Sequence, residues 1–202
     1  MQHEINDRVY KINNEYMYCL DNYIDVESFS KIYDTLANTV RSCDNYYEVV
    51  KPKIQDQLYD DSNSNNIFKL TLIFNNQELD ANIHFPELNK WIECSGIFDR
   101  INRIIFYINP IGCKTKTHYD YAEGNNNIHK DHFLWIDFLQ EKKLFVLDEK
   151  FNKQYGNGKF LLFRTNNWHG CEPTTSNCFS LRIDGSFSES FLNKANLKYH
   201  HE

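Results

Sequence analysis

Two short segments carry the residues of this chain that could bind a metal. Thr117-His118-Tyr119-Asp120 places a histidine and an aspartate two residues apart, and Asn167-Trp168-His169-Gly170 supplies a second histidine later in the chain. Residues i and i+2 of a β-strand point to the same face, so His118 and Asp120 could reach one point in space. With His169 they would form a two-histidine, one-carboxylate triad, which leaves open coordination positions on non-haem Fe(II).

An arginine follows the second histidine in a segment with the alternation of a strand. In residues 176–185, apolar side chains alternate with Ser180, Arg182 and Asp184. The alternation predicts that these three polar residues share one face of the sheet. A hydroxyl and a planar guanidinium on that face could bind one carboxylate together. The alternative is that Arg182 pairs with Asp184.

These segments resemble the Fe(II)/2-oxoglutarate-dependent oxygenases with a double-stranded β-helix (jelly-roll) core, over about residues 103–187. The resemblance implies Fe(II) held by His118, Asp120 and His169, with 2-oxoglutarate as cosubstrate and O2 as oxidant. It also implies hydroxylation of a small molecule or an amino-acid side chain, with release of succinate and CO2. Many members place Arg-x-Ser after the second histidine, whereas this chain has the reverse order.

The resemblance leaves two candidates for the cation that holds 2-oxoglutarate. The first is Arg182, assisted by Ser180 and by Tyr107, which is similar in placement to a cosubstrate-contacting tyrosine of some members. The second is Lys142 or Lys143, because the sequence also resembles the JmjC-like asparaginyl hydroxylases, whose anchor is a lysine on the strand after His-x-Asp. Residues 140–143 are typical of a solvated hairpin turn, and this favours Arg182.

Structural interpretations of the same histidines stay open. His118 and Asp120 could lie in a surface turn, and His169 could be a structural residue beside Trp168. His129 and His132 could in principle act as further ligands, but their polar neighbours predict a loop that enters a strand.

Two further groups of residues are candidate binding positions. We expect His132 and Trp135 at the rim of the substrate pocket, although Trp135 is also a typical core residue. A zinc site formed by His169 and cysteines 113, 171 and 178 has no supporting spacing. The final histidines, at 200 and 201, predict a terminal tail.

Composition limits the classes of function. The chain has 202 residues, 41% hydrophobic and 15% aromatic residues, a net charge of −6 and a pI of about 5.7. This composition predicts a folded single domain and argues against nucleic-acid or membrane partners. The N-terminus is no signal peptide, no apolar run approaches ~18 residues, and six cysteines without a Cys-x-x-Cys pair suit the reducing cytoplasm. The expected substrate is a small molecule, an amino acid or a peptide, and the oligomeric state stays open.

The elements that must position these residues change character along the chain. Asp25 is a predicted N-cap for a helix over 26–42, and further helices are predicted at 53–59 and 86–94. A strand is predicted at 67–74, and residues from 101 onwards contain many short strands. We therefore expect a mainly β (α+β) jelly roll as one domain over 1–202, with 1–66 as a mostly helical N-terminal buttress and 67–202 as the core.

Two other functional classes fit the same predicted fold. A cupin-type metalloenzyme that does not use 2-oxoglutarate would keep the triad and would not need Arg182. A metal-free jelly-roll binding module would need neither the triad nor the arginine.

Overall fold

The computed structural model describes residues 11–50, 67–119, 132–164 and 167–197. The predicted helix at 53–59, the polar loop at 60–66 and the terminal histidines lie outside these residues. None of the described helices is long and apolar enough to cross a membrane. The helices are α1 (Val26–Ser42), α2 (Pro86–Ser95) and α3 (Glu189–Lys194), and the strands are β1 (Tyr18–Cys19), β2 (Glu48–Val50), β3 (Ile67–Phe74), β4 (Gln77–Glu78), β5 (Phe98–Asn109), β6 (Thr115–His118), β7 (His132–Ile136), β8 (Leu144–Leu147), β9 (Lys153–Tyr155), β10 (Phe160–Leu162), β11 (His169–Cys171) and β12 (Cys178–Phe187).

The strands form two antiparallel sheets. The major sheet has the order β1-β10-β7-β12-β5-β3-β2, with β4 paired to β3, and the minor sheet has the order β6-β11-β8-β9. An apolar cluster joins their facing sides, and it includes Phe133 and Leu161 from the major sheet and Leu144 and Val146 from the minor sheet. The mainly β jelly roll predicted from the sequence is confirmed.

The central strand β12 carries the polar residues of the interior. It pairs with β5 on one side and with β7 on the other. Leu181 and Ile183 belong to the core cluster on the helix-covered face of the major sheet. Residues of opposite parity point the other way, and accordingly Arg182 lies over the Phe133 ring between the sheets.

Helix α1 covers the outer face of the major sheet and coincides with the predicted helix. The Asp25 side chain accepts a hydrogen bond from the Ser28 backbone N–H at 2.9 Å and so caps the helix. Buried Phe29 contacts Trp91 of α2 edge-on, at 4.9 Å between ring centroids. In the described part before residue 51 the buttress is less helical than expected, because β1 and β2 extend the major sheet at its two edges.

We expect Asp25→Ala to lower the free energy of unfolding by about 1 kcal/mol, since the first turn of α1 loses its capping acceptor. Urea denaturation followed by circular dichroism measures this change. Asp34→Ala is the matched control, because it removes the same charge from an exposed position inside the helix. An equal loss in both variants would contradict the capping role.

Candidate functional site

The two predicted histidine ligands lie side by side on the minor sheet. His118 on β6 and His169 on β11 are direct partners in the antiparallel register. Their ring centroids are 4.4 Å apart, His169 is buried and His118 is half-buried. Directly opposed residues of an antiparallel pair share a face, so the fold brings together two imidazoles that are distant in sequence.

Hydrogen bonds fix which ring nitrogen of each histidine carries its proton. His118 Nδ1 lies 2.8 Å from the Lys116 carbonyl, and His169 Nδ1 lies 2.8 Å from the Asn167 carbonyl. A carbonyl oxygen can only accept, so in these bonds Nδ1–H is the donor and Nε2 holds the lone pair of the neutral ring. This is the arrangement of a metal-binding histidine, whose other nitrogen donates to a carbonyl or carboxylate.

Gly170, next to His169, allows the strands of the minor sheet to approach closely. A Cβ at this position would lie 2.8 Å from Phe145 Cζ and 2.9 Å from the Thr115 carbonyl oxygen. The Phe145 ring could turn away, but the Thr115 carbonyl belongs to the backbone of β6, so any other residue here would require a shift of that strand. The glycine therefore supports the register that places His169 opposite His118.

The third predicted ligand, Asp120, lies outside the described residues, as does His129. Among the residues that the structure describes, no group of three His, Cys, Asp or Glu side chains could hold a metal ion. His132 opens β7 opposite Gly185, but its side chain is outside the description. The metal triad therefore stays a prediction, of which the structure positions the two histidines.

Arg182 is held by a carboxylate of its own strand. Its Nη2 lies 2.8 Å from Asp184 Oδ1, and its Nε donates to the same carboxylate at 3.0 Å. Arg103 also donates to both oxygens of Asp184, at 3.0 Å each. Burial alone would raise the pKa of Asp184, but the charges and hydrogen bonds of the two arginines outweigh it and lower that pKa. The pairing of Arg182 with Asp184 that the sequence left open is thus present.

Lys142 is buried, and its expected position in a solvated turn is wrong. Only 6% of Lys142 is exposed, whereas Lys143 is exposed to solvent. The Asp137 carboxylate accepts the Lys142 backbone N–H at 2.8 Å, and Gln140 has a positive φ of 56°. These two features shape a turn that directs the Lys142 side chain between the sheets.

The Lys142 ammonium meets neutral groups in the interior. It donates to Asn109 Oδ1 at 3.2 Å and lies 4.7 Å from the Trp135 ring centroid and 5.7 Å from that of Tyr107. Tyr107 and Trp135 stack on one another at 5.5 Å between centroids. In the described part of the chain no carboxylate lies within ion-pair distance of this ammonium.

Trp135 lies in the interior, as expected of a core residue, and its place at the rim of a substrate pocket stays a prediction. It is 7% exposed, and its indole N–H has no hydrogen-bond partner among the described residues. β7 alternates between the two faces of the major sheet, and Trp135 takes the face that the minor sheet covers.

Three buried hydroxyls also lack a hydrogen-bond partner within the described residues, those of Thr71, Thr115 and Ser180. Ser180 is the direct neighbour of Tyr107 in the register of β12 and β5. Thr115 opposes Cys171, while His118 opposes His169, and the register shifts between the two pairs. This irregularity brings Thr115 to the face of His118 although the residues are three apart. Sequence alternation alone assigns Thr115 and His118 to opposite faces, so the sequence does not identify Thr115 as a candidate binding residue.

The thiols of Cys171 and Cys178 are buried, and the charge of Lys142 acts on both. Burial raises the pKa of Cys171 to about 11 and that of Cys178 to about 12, although the Lys142 charge partly opposes both shifts. Alkylating reagents react with the thiolate, which is scarce at neutral pH when the pKa is this high.

We expect iodoacetamide at pH 8 to modify exposed Cys94 well before Cys171 and Cys178, because the two buried thiols stay protonated. Peptide mass spectrometry of the native protein over time measures the order of labelling. The urea-unfolded protein, in which all six cysteines should react, is the control. Early labelling of Cys178 in the folded protein would contradict the described burial.

No protein-family model matches this sequence, and no curated protein matches it significantly. Solved structures do match the fold. An oxidoreductase of the 2OG-Fe(II) oxygenase family from Burkholderia pseudomallei has a TM-score of 0.53 and 9% identity, over 91% of this chain and 90% of its own. A prolyl hydroxylase from Trichoplax adhaerens, in complex with a hypoxia inducible factor peptide fragment, has a TM-score of 0.51 and 8% identity, over 96% and 91%.

A prolyl-4-hydroxylase from Pseudomonas putida has a TM-score of 0.50 and 7% identity, over 93% of this chain and 98% of its own. At such low identity the likeness concerns the fold. Together with the two facing sheets and their antiparallel order, it identifies the architecture: this chain has the double-stranded β-helix fold of the 2-oxoglutarate-Fe(II) oxygenases.

Proposed function

We propose that this protein is an Fe(II)- and 2-oxoglutarate-dependent oxygenase that hydroxylates a small molecule or an amino-acid side chain, with release of succinate and CO2. One observation carries the proposal. Two imidazoles, one buried and one half-buried, lie side by side on the minor sheet, and the Nδ1 of each is hydrogen-bonded to a backbone carbonyl. A buried lysine that has no carboxylate in direct contact among the described residues lies further along the same interior. Such an arrangement suits a metal bound at the two histidines and an anionic cosubstrate that extends from the metal to the lysine.

The metal would be held by His118, His169 and Asp120, with Asp120 assigned from its sequence position alone. Bound Fe(II) would supply the redox chemistry and the sites for cosubstrate and O2. The protein would fix the ligand geometry through the two Nδ1–carbonyl bonds and the β6–β11 register. It would also exclude water, since Phe163 covers one side of His169 at 5.3 Å between ring centroids.

Lys142 is our proposed anchor for the distal carboxylate of 2-oxoglutarate. Leu144 and Val146 share one face of β8, and Val146 opposes His169. Lys142 lies just before the strand, in a turn where its carbonyl accepts the Leu144 N–H, so it is at most ~13 Å along the chain from Val146, at ~3.3 Å per residue. A lysine side chain and a bound dicarboxylate can span that distance together.

Neighbouring hydroxyls support the same position for the carboxylate. Thr115 and Ser180 have buried hydroxyls with no partner in the described ranges, and the Tyr107 ring lies beside Lys142. A buried hydroxyl without a partner carries a desolvation cost that a bound ligand can remove. Tyr107 and Ser180 therefore keep the cosubstrate-binding roles expected from the sequence, and Thr115 joins them.

Arg182 remains the rival anchor. It lies on the interior face as its strand alternation predicts, and it has the bidentate geometry that lysine lacks. However, Asp184 already engages its Nε and Nη2 atoms. A carboxylate ligand would have to compete with this ion pair, whereas Lys142 has only neutral partners to exchange among the described residues.

The substrate class is proposed more broadly than the cosubstrate. The Trichoplax adhaerens neighbour binds a peptide fragment, which supports an amino-acid side chain of a peptide as one candidate. The free thiols of all six cysteines fit a reducing cytoplasm.

Succinate formation tests the proposed function. Protein supplied with Fe(II), 2-oxoglutarate and O2 should release succinate, and addition of pools of amino acids, peptides and small metabolites should raise the rate when the substrate is present. A cupin-type enzyme would bind the metal without producing succinate, and a binding module would do neither. Absence of succinate from metal-loaded protein across all pools would overturn the proposal.

A further inference from the structure

Asn109, the last residue of β5, is fully buried, with 0% of its surface exposed. Its Oδ1 accepts a hydrogen bond from Lys142 Nζ at 3.2 Å, and its Nδ2 lies 3.5 Å from Cys113 Sγ. Both ends of the amide are therefore engaged, so its orientation toward Lys142 is fixed.

The nearest carboxylate in the same turn does not take this role. Asp137 is 3% exposed, and its Oδ2 accepts the Lys142 backbone N–H. Its carboxylate shapes the turn and forms no ion pair with Nζ within the described residues, although its charge interacts with the ammonium over a longer distance. The ammonium is instead held by one amide oxygen and by the stacked rings of Trp135 and Tyr107.

An ammonium that is buried with only neutral groups in direct contact is costly, and folded proteins normally place a carboxylate against it. The same interior contains the usual solution at Arg182, which is paired with Asp184. The two interior cations therefore differ in their direct contacts, which are a carboxylate for Arg182 and neutral groups for Lys142 among the described residues. Neutral partners orient the ammonium and leave its charge for an incoming anion.

We infer that Asn109 is a positioning residue that holds the Lys142 ammonium through a neutral acceptor, so that its charge stays available to the distal carboxylate of the cosubstrate. This inference rests on the proposed function. An aspartate at this position would have nearly the same shape but would bind the ammonium as an ion pair. It would also repel a carboxylate that approaches Lys142.

The test measures 2-oxoglutarate binding by isothermal titration calorimetry, with full-length protein loaded with Mn(II) under conditions without turnover. Asn109→Asp should raise the Kd of 2-oxoglutarate about 10-fold or more. Asn109→Thr, which keeps a neutral oxygen acceptor, should have a smaller effect. The Mn(II) affinity should stay the same in both variants, because Asn109 does not contact the histidine pair.

A double-mutant cycle with Lys142→Ala separates positioning from a structural role. If Asn109 acts through Lys142, Asn109→Asp should have little further effect on the Kd once the ammonium is gone. An equal effect in both backgrounds would overturn the inference. Asn82→Asp, at a buried asparagine in the 3-10 turn Asp80–His84, is the matched control for the burial of a new carboxylate.

The outcomes distinguish this inference from the proposed function. If wild-type Mn(II)-loaded protein does not bind 2-oxoglutarate, the proposed function fails and the inference fails with it. If wild type binds and Asn109→Asp leaves the Kd unchanged, only the positioning role is overturned. If Lys142→Ala leaves it unchanged, the positioning role and the assignment of Lys142 as the anchor are both overturned, while the oxygenase function stands. Should Asn109→Asp not fold, the cycle of Asn109→Thr with Lys142→Ala gives the same decision: the inference requires an effect of Asn109→Thr that Lys142→Ala removes.

Discussion

His169→Ala is expected to lower the affinity for Fe(II) by at least about 100-fold. Loss of an outer hydrogen-bond partner of a metal ligand costs roughly 10–100-fold, and loss of a direct ligand should exceed that. His118→Ala should have a similar effect, since the two rings are direct partners across β6 and β11. Anaerobic competition with a coloured Fe(II) chelator measures the affinity.

His84→Ala is the matched control for these substitutions, because it removes an exposed imidazole that lies beside Tyr46 on another part of the surface. Asp120→Ala tests the third proposed ligand in the same assay and should also lower the affinity sharply. Full metal loading in His169→Ala, with a fold intact by circular dichroism, would show that the metal lies elsewhere. Retention of full affinity in Asp120→Ala alone would remove only the carboxylate from the triad.

Lys142→Ala is expected to raise the 2-oxoglutarate requirement by about 10- to 150-fold, since charged hydrogen bonds contribute ~1.5–3 kcal/mol. The Fe(II) affinity should stay nearly unchanged, because the contacts of Lys142 within the described residues are with Asn109, Tyr107 and Trp135 and not with either histidine. The dependence of succinate formation on 2-oxoglutarate concentration measures the effect. Lys143→Ala, at the exposed neighbour, is the control.

Arg182→Gln decides between the two cations in the same assay. Its main expected effect is on stability, because it leaves Asp184 with Arg103 alone in a buried position. If Arg182→Gln raises the 2-oxoglutarate requirement about 10-fold or more and Lys142→Ala does not, the original expectation from the sequence is correct and Lys142 is a structural residue.

Elements with local signals were predictable from the sequence. The helix at 26–42 has apolar residues at helical spacing and an aspartate N-cap, and both features depend only on neighbouring residues. The strand at 67–74 ends at Asn75 and Asn76, and both asparagines adopt the positive φ that the turn requires. The pairing of His118 with His169 needed the sheet register, which the sequence suggests only through the resemblance to a family.

Lys142 shows why the interior could not be predicted completely. Its neighbours Gln140, Glu141 and Lys143 are typical of a solvated turn, and this polar composition predicts that Lys142 is exposed. Alternation back from Leu144 and Val146 would have placed Lys142 on the interior face. The free-energy cost of burying an ammonium argues against that placement. In the structure, contacts with Asn109 and two aromatic rings offset part of this cost.

Thr115 was missed for a different reason. A strict period of two places residues 115 and 118 on opposite faces of a strand. The register shift between β6 and β11 changes this parity, so that both residues oppose side chains of one face, Cys171 and His169. Such irregularities depend on how two strands pair and leave no consistent pattern in either strand alone.

The central claim is that one interior holds both Fe(II) and 2-oxoglutarate, and an anaerobic spectral titration tests it most directly. Addition of Fe(II) and 2-oxoglutarate together to wild-type protein should produce a weak visible charge-transfer band, and neither component should produce it alone. The band should be absent in His169→Ala, and in Lys142→Ala it should require a higher 2-oxoglutarate concentration. A wild-type protein that binds Fe(II) but shows no such band at any 2-oxoglutarate concentration would contradict the account.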